Sequence, residues 1–117
     1  MLLTLFLTLA GRLAAAETHY FLIDNSGSMS AHRDSVEDES SELVDGYSSN
    51  TVVSVSYFRG ATNTDCDREV LIPEPTAPSK PFQLSAPEIA DGNTLLIGAI
   101  EKIYATAPDG AYAILYT

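Results

Sequence analysis

The sequence is poor in cationic residues: its 117 residues include 6 Lys and Arg against 16 Asp and Glu, and its formal net charge at pH 7 is −10. A surface that binds nucleic-acid phosphates needs clustered Lys and Arg, so this composition argues against DNA or RNA as a partner. Cysteine is equally scarce, with Cys66 as the single example. One cysteine excludes both an internal disulfide framework and a Cys-rich zinc site.

The sequence has one long apolar run, MLLTLFLTLA, which forms residues 1–10. The run is too short to span a bilayer as a helix, and Ala14-x-Ala16 after it has the spacing that signal peptidases recognise. Residues 1–16 are therefore predicted to be a signal peptide, and the protein to be secreted or periplasmic with no stable membrane span after cleavage. No Lys or Arg precedes the run, so a buried N-terminal strand or helix is the alternative.

The rest of the chain has the composition of one small folded domain, with 45% apolar and 19% charged residues overall. Apolar runs at 18–24 and 111–117 are typical of strands buried on both faces. Strands are also predicted at 51–58 and 68–72, and their short connection predicts an antiparallel hairpin. Apolar spacing predicts helices over about 31–47 and over 94–106, the second with a buried stripe formed by Leu95, Ile97, Ile100, Ile103 and Tyr104. Five prolines indicate a loop over residues 73–92.

This order of elements predicts an α/β fold, with a Rossmann-like, mostly parallel sheet, one antiparallel hairpin strand and helices on both faces. The strand at 111–117 has the composition of a central strand, yet in this order it would lie uncovered at the sheet edge. We therefore expect residues 17–117 to be the N-terminal portion of a larger domain, truncated at its C-terminus and poorly soluble alone.

Polar residues follow the first buried strand directly, in the order Asp24-Asn25-Ser26-Gly27-Ser28. Ligands of open α/β sheets bind at the carboxyl ends of strands, which is where this loop lies. A carboxylate and two hydroxyls are hard oxygen ligands that suit a small hydrated cation such as Mg²⁺. The alternative is purely structural, because Ser and Asp also stabilise turns and cap helices.

The segment 21–29, FLIDNSGSM, resembles the opening of a von Willebrand factor A-type domain that carries a metal-ion-dependent adhesion site. Asp91-Gly92-Asn93-Thr94 is similar to the second motif of that family, although the family usually has paired glycines before the threonine. Residues 113–117, AILYT, resemble the strand that leads into the third motif, whose aspartate would come after Thr117. The resemblance covers residues 18–117.

The resemblance implies a metal site formed by Asp24, Ser26, Ser28 and Thr94, some of them acting through water. The ion would be Mg²⁺, or Mn²⁺ or Ca²⁺, and its partner would be a protein ligand that supplies an Asp or Glu carboxylate. The function implied is cation-dependent protein binding, in adhesion or interaction, without catalysis.

Two other functions compete with this interpretation. A haloacid-dehalogenase-like phosphatase also places an aspartate at a strand end, but it needs a second acid two residues later, where this chain has Ser26. There is no Gly-x-Ser-x-Gly elbow, and neither His19 nor His32 is obviously placed as a base. A non-functional structural fragment is the remaining alternative.

Overall fold

The protein forms a small mixed α/β structure, seen in a computed structural model. The structure describes residues 2–8, 17–58, 72–85 and 96–117. Its sheet has four strands, β1 (Thr4–Thr8), β2 (Thr18–Asp24), β3 (Val52–Phe58) and β4 (Tyr112–Tyr116). They lie in the order β1-β4-β2-β3, with β2 parallel to both β3 and β4 and with β1 antiparallel to β4. The predicted α/β class and the predicted strands at 18–24, 51–58 and 111–117 are confirmed.

Helices cover both faces of the sheet, as the sequence predicts. A 3₁₀ helix, Gly27–His32, leads into α1 (Arg33–Asp45), and α2 (Leu96–Thr106) precedes β4. Alternate side chains of β2 point to opposite faces: Phe21 and Ile23 pack in the cluster that includes α1, whereas Tyr20 and Leu22 pack in the cluster that includes α2. This two-sided burial explains why β2 is a continuous apolar run. No helix in the described part of the chain is long and apolar enough to cross a membrane.

Within the N-terminal apolar run, Thr4–Thr8 forms the outer strand β1. It pairs with β4 from Thr4–Tyr116 to Thr8–Tyr112, so β4 lies inside the sheet. The prediction that the last strand is an uncovered edge is therefore wrong for this chain, because the uncharged N-terminal run supplies the missing neighbour. The antiparallel strand of the sheet is β1. The predicted hairpin strand 68–72 lies outside the described residues apart from Ile72, which is in no strand. The predicted cleavage after Ala16 also falls outside the described residues.

The buried face of α2 differs from the predicted stripe. Ile97 is 72% exposed and Tyr104 is 54% exposed, so the sequence prediction for these two side chains is wrong. Leu95 lies outside the described residues. The residues of this helix and its end that pack on the sheet follow a three- and four-residue spacing: Leu96, Ala99, Ile100, Ile103 and Ala107.

Residues 72–85 have no regular secondary structure, as the prolines predict. Thr76 and Val53 exchange two backbone hydrogen bonds of 2.8 and 2.9 Å at the outer side of β3. Further on, the Phe82 amide donates to Asp45 Oδ1 at 2.9 Å, and Lys80 Nζ donates to the Tyr47 carbonyl at 2.6 Å. This segment therefore covers the β3 edge and attaches to the C-terminal end of α1.

Candidate functional site at the carboxyl end of β2

The loop from Asp24 to Ser28 lies at the carboxyl end of β2, where the chain turns from the sheet into the 3₁₀ helix. The Asn25 amide donates a 2.7 Å hydrogen bond to the Phe58 carbonyl, which fixes the start of the loop against the end of β3. Asp24 and Ser26 are 4% and 2% exposed, whereas Ser28 is exposed at the surface. The loop therefore joins a buried carboxylate to a solvent-facing hydroxyl.

Both oxygens of the Asp24 carboxylate accept hydrogen bonds. Oδ1 accepts from the Ser26 amide at 2.9 Å, which closes a turn of the kind that Asp commonly makes with its own backbone. Oδ2 accepts from the Thr117 hydroxyl, also at 2.9 Å. These two bonds set the orientation of the carboxylate.

Thr117 is a site residue that sequence reasoning did not find. It follows β4 directly, and the pairing of Ile23 with Tyr116 places it beside Asp24. The signal available in the sequence was the resemblance of residues 113–117 to a strand that leads into a metal motif. That resemblance did not show that β4 lies next to β2, and this adjacency is what brings the hydroxyl to the carboxylate.

The serine hydroxyls of the loop also lie together, with Ser26 Oγ and Ser28 Oγ separated by 3.1 Å. Ser26 occupies the N-cap position of the 3₁₀ helix, but its side chain makes no capping hydrogen bond. The cap part of the structural alternative therefore does not describe the Ser26 hydroxyl, whereas the bond from the Ser26 amide to Asp24 Oδ1 is a turn of the kind that this alternative predicts. The structure brings together Asp24, Ser26 and Ser28, whereas Thr94 and the rest of the 91–94 motif lie outside the described residues.

The donor set is of the kind that a small divalent cation accepts. Asp24, Ser26 and Ser28 supply one carboxylate and two hydroxyls, which are hard oxygen ligands. The 3.1 Å between the two serine oxygens is a hydrogen bond between the hydroxyls. Within the described ranges no group of three or more His, Cys, Asp and Glu could hold a metal, so a cation here would depend on the hydroxyls.

The loop lies at the carboxyl end of β2, which is where open α/β sheets bind ligands. Thr117 lies at the carboxyl end of the neighbouring parallel strand β4, and its hydroxyl reaches the loop through the hydrogen bond to Asp24.

A small cavity of about 20 Å³ lies behind the loop, with Asp24, Asn25, Arg33 and Tyr57 in its wall. The Tyr57 hydroxyl is buried and has no hydrogen-bond partner among the described residues. Burial raises the pKa of Tyr57 to about 12, with Arg33 acting in the opposite direction, so the hydroxyl keeps its proton at neutral pH. The cavity has room for about one water and not for a side chain of a partner.

The chain matches no protein-family model, no curated protein and no solved structure.

Proposed function

We propose that this chain binds a protein ligand through a divalent cation held at the Asp24–Ser28 loop, in the manner of von Willebrand factor A-type domains. The cation is Mg²⁺, or Mn²⁺ or Ca²⁺. Asp24, Ser26, Ser28 and Thr94 hold it, directly or through water. The partner supplies an Asp or Glu carboxylate, and the setting is secreted or periplasmic.

The observation that carries the proposal is that one buried carboxylate and two hydroxyls 3.1 Å apart lie in a single loop at the carboxyl end of β2. A site with one protein carboxylate leaves one of the two positive charges of the cation uncompensated. Such an ion attracts a further carboxylate from outside, which a site with three carboxylates would repel. The exposed position of Ser28 gives that incoming group access.

Binding without catalysis is part of the proposal. A phosphatase of the haloacid-dehalogenase type needs a general acid two residues beyond the first aspartate, and Ser26 occupies that position with its hydroxyl next to Ser28. If the wild-type chain hydrolyses a generic aryl phosphate and the Asp24→Asn variant does not, the proposal of binding without catalysis is wrong.

The first experiment measures Mg²⁺ and Mn²⁺ binding to the full chain by titration calorimetry. Asp24→Ala combined with Ser26→Ala should abolish binding, because it removes the carboxylate and one hydroxyl. The matched control is Asp34→Ala with Ser35→Ala, which removes the same charge and the same hydroxyl from the exposed surface of α1. Equal binding by the two double variants would contradict the site. Thr94→Ala tests the fourth residue, and unchanged affinity would remove it from the set.

The second experiment tests the carboxylate of the partner with acetate as the probe. Acetate that displaces a water from protein-bound Mn²⁺ should lower the relaxation rate of solvent protons, while methyl acetate, which has no charge, should leave it unchanged. No difference between the two probes would show that the bound ion does not accept an external carboxylate.

A further inference from the structure

The N-terminal strand is hydrogen-bonded to the residue that orients Asp24. The Leu3 amide donates to Thr117 O at 2.8 Å, and the Thr117 amide donates to the Leu3 carbonyl at 3.1 Å. The Thr117 hydroxyl in turn donates to Asp24 Oδ2 at 2.9 Å. Two hydrogen bonds between Leu3 and Thr117, and one between Thr117 and Asp24, therefore connect the residue just before β1 to the carboxylate of the candidate cation site.

We infer that, as long as residues 1–16 stay on the chain, pairing of residues 3–8 with β4 and Thr117 sets the cation affinity of the Asp24 site, by holding Thr117 where its hydroxyl fixes the carboxylate. This inference rests on the proposed function. Thr117 is a positioning residue, and β1 acts through it. Thr117 follows the last residue of β4 directly. The two bonds to Leu3 hold its backbone from the outer side of the sheet.

The physical basis is preorganisation of the ligand. A carboxylate that is already fixed in the binding orientation loses little rotational freedom when the cation binds, whereas a mobile carboxylate loses more. Removing β1 from β4 frees the backbone of Thr117, lengthens or breaks the bond to Asp24 and weakens cation binding. The strand that occupies the outer side of β4 thus becomes a control element for a site at the opposite edge of that strand.

The test uses two proline substitutions on the same strand. Leu3 and Thr117 exchange both backbone bonds, so the neighbouring pair, Thr4 and Tyr116, is the non-hydrogen-bonded kind, and the Thr4 amide points away from β4. Leu3→Pro removes the bond from the Leu3 amide to Thr117 O, while Thr4→Pro places proline on an outer strand where no ladder bond is lost. We expect Leu3→Pro to weaken Mn²⁺ binding about three- to tenfold and Thr4→Pro to leave it unchanged.

A double-mutant cycle then tests whether Leu3 acts on the cation site through the Thr117 hydroxyl. Thr117→Val removes the hydroxyl and should weaken Mn²⁺ binding to a similar degree, and adding Leu3→Pro to Thr117→Val should have no further effect. Equal weakening by Leu3→Pro and Thr4→Pro, additive effects in the cycle, or unchanged binding in Leu3→Pro would each overturn the inference. Hydrogen exchange of the Thr117 amide reports directly whether β1 is paired in each variant.

The controls separate this inference from the proposed function. A wild-type chain that binds no cation contradicts the function itself, whereas a wild-type chain that binds and a Leu3→Pro chain that binds equally contradicts only the role of β1. If Leu3→Pro loses its cooperative unfolding transition, an amide-to-ester replacement at residue 3, made by semisynthesis, removes the same donor without the proline ring. The same weakening of Mn²⁺ binding is expected there, and unchanged affinity would overturn the inference.

Discussion

His19 lies between two aromatic rings at the end of β2 opposite to Asp24. Its ring centroid is 4.1 Å from that of Tyr47 and 4.8 Å from that of Tyr112, and the side chain is nearly buried. Nε2 lies 3.3 Å from Glu17 Oε2, while Nδ1 is buried without a hydrogen-bond partner among the described residues. Burial lowers the pKa of His19, and the nearby Glu17 carboxylate only partly opposes this effect.

Stability should therefore fall in mild acid, and His19 should account for part of the fall. The folded chain holds the pKa of His19 below the value of 6.5 for an unperturbed histidine. Above pH 6.5 His19 is neutral in both states, and the stabilisation of the folded state is complete. As the pH falls, the unfolded chain takes up the proton first, so this stabilisation is lost as the pH falls through the lower pKa of His19 in the folded state. Urea unfolding between about pH 7.5 and about pH 5 should show a smaller decrease in unfolding free energy for His19→Phe than for wild type.

The matched control is His32→Gln, which removes the other histidine without touching the aromatic stack. It should keep the wild-type pH dependence. If the unfolding free energy falls by the same amount between these pH values in wild type and in His19→Phe, then His19 does not contribute to the loss of stability in acid.

Asp24, Ser26 and Ser28 could be found from the sequence because they are close in the chain and follow a recognisable buried strand. Thr117 is 93 residues from Asp24 and could not be found in this way. Its role depends on β4 lying beside β2 with a particular register, and that register follows from the packing of both faces at once. A local sequence pattern can identify site residues that are close together in the chain. A contact between two strands depends on how the whole sheet is paired.

In α2, one isoleucine is buried and another is exposed, so the two should contribute differently to stability. Ile103 is fully buried against the sheet, whereas Ile97 is 72% exposed. We expect Ile103→Ala to lower the free energy of unfolding by about 2–4 kcal/mol, because it removes buried methyl groups and leaves a cavity. Ile97→Ala should change it by less than about 0.5 kcal/mol, because the side chain is already in water.

Chemical denaturation of the two alanine variants measures this difference with identical substitution chemistry. Equal destabilisation by the two would contradict the observed orientation of α2 and would favour the stripe that the sequence predicts.

The positions of β2, β3 and the core of α1 were predictable because their hydrophobic patterns are strong. β1 was not, since a short uncharged apolar run satisfies the requirements of a signal peptide, a strand and a helix alike. The orientation of α2 was missed because alanines carry much of its packing, and alanine contributes little to a count of large apolar residues. Export and cleavage stay predictions that the strand assignment does not test.

At the scale of the whole molecule, the net charge of −10 affects any measurement of cation binding. Salt of any kind screens repulsion among the acidic side chains and so stabilises the folded chain without a specific site. A bound ion adds a further stabilisation, which reaches about 2.7 kcal/mol at about one hundred times the dissociation constant.

Mg²⁺ should therefore raise the melting temperature by several degrees more than NaCl does at equal ionic strength. This excess should disappear in Asp24→Asn and persist in Asp34→Asn, which removes one charge from an exposed position on α1. Thermal unfolding followed by circular dichroism measures both effects. The same excess in Asp24→Asn would place the stabilising ion elsewhere on the acidic surface.

The five residues from Thr4 to Thr8 bond to β4 along their whole length. A translocation channel must thread its substrate as an extended, unpaired chain, and a signal peptidase must reach the linker behind the leader. If residues 1–16 serve as a leader, closure of the sheet competes with delivery to the channel, and the faster process decides the fate of each molecule. A chaperone that delays collapse in the cytoplasm would then increase secretion, and a chain that closes first would keep its leader hidden.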